Sequence, residues 1–360
     1  MPSVLLAPYG GHAVDKYGAN KILVVTGILE VITLLALSFA TSTTHIYLLS
    51  AIMSGLFAFS GPSVFALIPT AAERAGLSVD RANSLIEVVG GMGAIIGPVL
   101  GGLSVGILSL SVSIQLTAAW SVLLVVLMYF SDLDSPLSVD QEKITTFFSQ
   151  VKTSYKPVLR IRQIRFLFIT FFAIVFSTTF SDVIFVFFVT LDLNGGPVLV
   201  GALVAAWSFG LTLGAWYLGK QKDPGAVVRF AYYGAIGMGV ALFLTGLAAS
   251  MLTTAVAIVV VAGLFVIGGF SNGMHNVAVR SSILKYVPQG QHGRAYSLYS
   301  VVTRVAAVGG YFSGGLAGKS NAALAYFSSG LLALAFGLIG LLVFSRFVLE
   351  NSSHHSRETF

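Results

Sequence analysis

Ten apolar stretches, each about as long as a helix needs to cross a bilayer, run through this chain; they lie at about 22–41, 46–68, 84–107, 112–131, 165–189, 198–219, 226–248, 253–275, 295–318 and 323–346. A helix spanning the hydrocarbon core takes roughly 20 apolar residues. The strands of a membrane barrel would be about half that length and would alternate in polarity, and these stretches do not alternate. The expected fold class is therefore all-α, a polytopic membrane helix bundle of about ten full spans. Charged residues make up only 9% of the chain. A soluble domain carries about 25%, so lipid has to take the place of water around most of the surface. The 39 glycines suit close helix packing in a bilayer.

The net charge of +6 is explained by where the basic residues fall, and nucleic acid is not an expected partner. Eighteen of the 20 Lys and Arg lie in alternate connections and the tail: Lys16 and Lys21, Arg74 and Arg81, six between Lys143 and Arg165, Lys220, Lys222 and Arg229, Arg280, Lys285 and Arg294, then Arg346 and Arg357. The opposite connections hold only Lys319, and Arg304 is inside a span. Cytoplasmic loops are enriched in Lys and Arg. The eighteen-residue side is thus expected to be cytoplasmic, with the C-terminus on it and the chain in the cell (plasma or inner) membrane. The bilayer, with its anionic head groups, is the partner this charge implies. The chain has no cysteine, so disulfides and thiolate metal sites are excluded, and no cofactor or metal is expected.

The longest polar stretch, Ser131 to Gln163, separates four full spans from six. The expected organisation is 1–131 as the first half, 132–164 as a cytoplasmic connection, 165–346 as a six-helix second half and 347–360 as a cytoplasmic tail. Phe147, Phe148, Val151 and Tyr155 suggest an amphipathic segment on the inner membrane face. Met1 to Gly11 is apolar but about 15 Å long as a helix, too short for a core about 30 Å thick. It reads as the inner end of a partial span, with its outer end and one earlier helix missing, or as the start of a shorter protein.

Two motifs carry an identification. The first is Gly11-His-Ala-Val-Asp15-Lys16-Tyr-Gly18-Ala-Asn-Lys21, placed in a cytoplasmic turn between spans. Gly11 and Gly18 allow a tight turn, and Asp15 can pair with Lys16 or Lys21 or face a helix N-terminus. The segment resembles the signature between the second and third helices of the major facilitator superfamily, with Ala19 and Asn20 at positions that are usually basic. The second is Gly93-Ala-Ile-Ile-Gly97-Pro98-Val-Leu-Gly101-Gly102, small residues on one helix face with a proline that permits a kink. It is similar to the fifth-helix motif of that family's antiporters; as a packing motif alone it would mean only a tight helix pair.

Weaker similarities point to the macrolide, siderophore and multidrug exporter branch: Gly61-Pro62 with Ile68-Pro69, Arg81-Ala-Asn83, and Val287-Pro288 before Gly293-Arg294. The run from Gly201 to Gly225 resembles a degenerate second copy of the first signature, as two pseudo-symmetric halves would produce. The resemblance implies a major facilitator bundle lacking its first helix, with Gly11, Asp15, Lys16, Gly18 and Lys21 forming a cytoplasmic gate. Many family antiporters carry an arginine in the fourth helix; Met53, Ser54 and Gly55 stand near that place here.

Charge inside a membrane is costly, so Glu30, Glu87, Asp182 and Arg304 are candidates for coupling. Desolvation disfavours the charged form of a carboxylate, so such a group can load and release a proton. Asp182 has two readings, a proton-exchanging carboxylate or a local partner for Arg304. Phe168, Phe172, Phe176 and Phe180 repeat every four residues. They form either one aromatic wall of a substrate cavity or a lipid-facing ridge. Asn272, His275 and Asn276, beside Ser271, are on a helix that the resemblance places at the cavity.

The chain has no phosphate-binding G-x-x-x-x-G-K-[ST] and no convergent catalytic set, so neither ATP-driven pumping nor an enzyme is expected. The expected function is proton-coupled efflux of small lipophilic or amphipathic compounds by alternating access. The alternatives are uptake of a metabolite, or an inactive or sensor fragment without its first helix.

Overall fold

The computed structural model describes residues 2–131, 133, 156–221, 224–288, 292–317 and 322–355. The described residues are almost entirely helical, with no strand among them. In chain order the helices are α1 (Pro2–Tyr17), α2 (Ala19–Ser38), α3 (Thr43–Arg74), α4 (Val79–Ile107), α5 (Leu110–Tyr129), the short α6 (Lys156–Arg160), α7 (Arg162–Phe187), α8 (Pro197–Gly219), α9 (Pro224–Met251), α10 (Thr254–Tyr286), α11 (His292–Ala317) and α12 (Ala322–His355). Each of the ten expected spans has its helix. Among the described residues nine helices are long and apolar enough to cross a membrane. The tenth, α11, has the length at 26 residues but carries Arg294 and Arg304.

Several helices outrun their apolar stretches. α3 continues through Pro62 and Pro69 to Arg74, since neighbouring groups in a membrane protein can satisfy what a proline leaves open. α1 reaches Tyr17, so Gly11 lies inside a helix and not at a turn as expected. The break falls on Gly18 alone, with φ 86° and ψ 143°, a backbone conformation that only glycine adopts without strain. Residues 2–11 are therefore part of a 16-residue helix.

The chain divides into two compact units, Met1–Gly93 with Leu100–Thr145, and Ala94–Val99 with Thr146–Phe360. In the first, α1 packs on α3, and α2 packs on both α3 and α5. The α1–α3 seam rests on a backbone feature. Pro62 has no N–H to donate to the Ala58 carbonyl one turn back, and a Cβ at Gly10 would fall on that same carbonyl oxygen. Ser54 Oγ lies 3.2 Å from Ser3 Oγ across the seam. At the other end of α3, Arg74 Nη1 donates to the Ser131 carbonyl at 2.8 Å. Ala19 is fully buried, which leaves no room for the basic side chain usual at that position of the signature.

In the second unit, α9 packs against α10 and α12, α8 against α10, and α7 against α11 and α12. The α8–α10 approach is so close that a Cβ at Gly214 would meet the Phe270 carbonyl and one at Gly273 the Leu211 carbonyl. Small residues thus bring two backbones into contact. At the end of α8, Lys220 Nζ sits 3.4 Å above the ring of Trp216. α7 closes in a π-helical turn, Phe188–Asp192, with Leu193 N–H donating to Phe188 C=O at 3.2 Å, and Asn194 then takes a positive φ of 49°.

Candidate functional site

Two cavities differ in chemistry. In the first unit, an open groove of about 340 Å³ is lined by α2, α3, α4 and α5, with side chains such as Leu23, Leu67, Ile86 and Met128. Every lining residue is apolar, so this space holds nothing to orient a polar group. In the second unit, a cavity of about 110 Å³ has a polar edge. Thr178, Ser181, Asp182 and Phe185 come from α7, Trp207 from α8, Leu242 from α9, Phe265 from α10 and Tyr326 from α12.

Helical periodicity aligns the polar edge, because Thr178 and Asp182 are four residues apart and share a face. The hydroxyls of Ser181 and Ser329 lie 2.6 Å apart, and Ser177 Oγ donates to the Ser329 carbonyl; together they hold α7 on α12. The aromatic wall is ordered as well. Phe265 is 5.5 Å from Phe185 and 5.7 Å, nearly perpendicular, from Trp207. The Trp207 ring has room because residue 268 is glycine; a Cβ there would stand 2.6 Å from the ring. Asp182 is exposed and makes no ion pair with Arg304. Tyr311 and Tyr326 are within electrostatic range of its carboxylate.

The other candidate residues are dispersed. Arg304 is exposed, with Nε 3.4 Å from Ser300 Oγ on its own helix. Glu30 is half-buried on α2, without a hydrogen-bond or ion-pair partner among the described residues. The side chains of Asp15 and Glu87 lie outside the described ones, as do Phe147, Phe148, Val151 and Tyr155. Lys16 is exposed beside the Tyr17 ring at 5.1 Å, and Lys21 is exposed. On α4, no atom of the described residues comes within 4 Å of the Cβ positions of Gly93, Gly97 and Gly101.

The four phenylalanines do not share one wall. Phe168 is 4% exposed in the core and Phe172 is 38% exposed. Phe176 and Phe180 stack at 6.5 Å and pack on Gly309, Gly310 and Gly314 of α11. His275 is buried in the interior, its Nδ1 2.6 Å from the Ala231 carbonyl and its ring stacked on Phe171. A carbonyl only accepts, so Nδ1 carries the proton; Nε2 is buried without a partner among the described residues. Asn276 donates to Asn272 at 2.7 Å.

Sequence reasoning missed Thr178 and Ser181, although their spacing from Asp182 could have revealed them. It also missed Trp207, Phe265 and Tyr326, for which no local signal exists. Asp192 was missed because the apolar stretch ends before it. The π turn carries the helix that far, and its carboxylate accepts the Ala323 N–H while Oδ2 is buried without a partner.

The chain is similar over most of its fold to solved structures of the nucleoside transporter NupG (D323A mutant), at TM-score 0.71, 14% identity, 96% of this chain and 87% of that one. It is also similar to a POT family transporter in complex with a thioalcohol-conjugated peptide, at TM-score 0.72, 15% identity, 96% and 86%. These likenesses show the fold. A relative named multidrug efflux pump Tap, from Mycolicibacterium fortuitum, is 32% identical over 117 residues, which is 30% of this chain and 28% of that protein. The match thus spans little more than a quarter of the relative's length. The family model described as Major Facilitator Superfamily matches residues 1–310, so the chain belongs to that superfamily of multi-pass membrane transporters and is not an enzyme.

Proposed function

We propose that the chain is a proton-coupled exporter of small amphipathic compounds, working by alternating access, and that proton and substrate meet at Asp182. The observation that carries this reading is an exposed carboxylate, without an ion-pair partner among the described residues, on the wall of a cavity inside a helix bundle. A charge at that depth is expensive unless it is used. A carboxylate can take up and release a proton, and a group that alternates between charged and neutral forms links cargo to a proton gradient. The partial relationship to an efflux pump supports export over uptake. On this reading the 132–164 connection and the tail face the cytoplasm, and Asp15 with its neighbours serves the gate.

Full-length protein reconstituted with an imposed pH gradient tests the coupling. Asp182→Asn is expected to abolish gradient-driven accumulation while preserving equal-pH exchange at saturating substrate. Normal gradient-driven flux in the variant would remove Asp182 from the coupling step. Accumulation of labelled compound in expressing cells, in place of depletion, would reverse the direction.

A further inference from the structure

The Asp182 cavity has a chemistry narrower than "amphipathic". Its only charge is a carboxylate, and none of its lining residues is Lys, Arg or His. Lining the same cavity are the rings of Trp207 and Phe265, 5.7 Å apart, with Phe185 5.5 Å from Phe265 and Tyr326 within electrostatic range of the carboxylate. Aromatic faces attract cations through their quadrupole, Trp most strongly, and the attraction grows when the cation is desolvated. A carboxylate adds the opposite charge that an anion or a neutral dipole could not use. Carboxylate and rings therefore select the same thing, a positive charge spread over an apolar surface.

Size narrows it further. The space is about 110 Å³, less than the roughly 150 Å³ cavity that holds one benzene. A fused ring system does not fit, but a small alkylated ammonium group does. We infer that this cavity is the head-group pocket for an organic ammonium ion, seated between the Asp182 carboxylate and the Trp207 and Phe265 rings, with the rest of the substrate outside it. The pocket is built wholly by helices of the second unit. The hydroxyls of Thr178 and Ser181 offer acceptors for primary and secondary amines, which carry N–H donors. Gly268 is the positioning residue, since a Cβ there would stand 2.6 Å from the Trp207 ring.

This assignment rests on Asp182 being the transport site, but recognition can be measured without a gradient. The probe is benzyltrimethylammonium, compared with its uncharged carbon isostere neopentylbenzene, on the full chain in lipid nanodiscs, with empty nanodiscs subtracting partition into lipid. The cation is expected to bind at least about tenfold more tightly than the isostere, the gain of a desolvated cation–π contact plus an opposite charge. Asp182→Asn should weaken the cation roughly tenfold to thirtyfold and leave the isostere unchanged; Asp182→Glu should recover most of the loss. Trp207→Leu, which keeps the carboxylate, should weaken the cation about fivefold or more. Equal affinity for cation and isostere would overturn the assignment, as would cation binding indifferent to both substitutions. Displacement of the probe by sodium ions at lower concentration than the probe itself would reassign the carboxylate and hydroxyls to an inorganic cation. Normal proton-driven flux in Asp182→Asn, with the parent's cation selectivity over the isostere present, would sink the coupling role alone.

Discussion

The hydroxyls of Ser181 and Ser329, on helices 148 residues apart in sequence, lie 2.6 Å from each other. This bond joins α7 to α12 one residue away from Asp182, so the carboxylate stands on a backbone tied to a neighbouring helix. In bilayers such interhelical bonds contribute about 0.6 kcal/mol on average. Ser181→Ala and Ser329→Ala should each lower the thermal unfolding midpoint in detergent, and the double variant should fall short of their sum by about that coupling energy. Strict additivity would show that the contact carries no energy.

The α8–α10 seam makes a sharper prediction. A Cβ at Gly214 would run into the Phe270 carbonyl, whereas nothing among the described residues lies within 4 Å of one at Gly263 on α10. Backbone cannot swing aside as a side chain can. Gly214→Ala should cost about 1–3 kcal/mol or more by overpacking, seen as loss of a monodisperse peak or a large drop in melting temperature. Gly263→Ala should stay within about 0.5 kcal/mol of the parent.

Gly268 is an intermediate case, because the obstacle there is the edge of the Trp207 ring, which can rotate. Gly268→Ala should fold and yet weaken an ammonium probe roughly fivefold, the share of a displaced cation–π contact. Binding titrations on the variant check this, and unchanged affinity would show that the ring position does not matter.

Orientation can be read directly because the chain has no cysteine. Single cysteines at Ser138 and Ser352 should resist an impermeant thiol reagent in intact cells and react after lysis, as the charge bias of the loops requires. Labelling of either before lysis would invert the topology.

The helices were legible because a bilayer imposes one length and one polarity on each of them. Their ends were less so: α3 passes Pro69 to Arg74 and α7 passes Phe187 through a π turn, both decided by packing and not by hydropathy. The site was half legible. Asp182 announced itself as a charge in an apolar run, but Trp207, Phe265 and Tyr326 come from three other helices, and which helix faces which is written in no local pattern. The phenylalanine stripe divides between environments for a geometric reason. Four-residue steps advance about 40° beyond a full turn, so Phe168 and Phe180 point about 120° apart. His275 looked like part of a polar face, yet its ring turns inward to α9.

The Lys220 ammonium over the Trp216 ring has a consequence for the membrane itself. Trp216 is 61% exposed, and an indole paired with an ammonium prefers the depth of the lipid head groups. That pair marks a waterline at one end of α8, while the other end starts at Pro197, at the head of the helix. The rise from Pro197 to Trp216 is about 28 Å, close to a typical hydrocarbon core of about 30 Å. Because α8 is locked to α10 at backbone contact, it cannot tilt alone to absorb a mismatch. The second unit therefore has a preferred bilayer thickness, and shortening the lipid chains in a reconstitution makes the whole unit tilt or the surrounding lipid stretch, at fractions of a kcal/mol per Å.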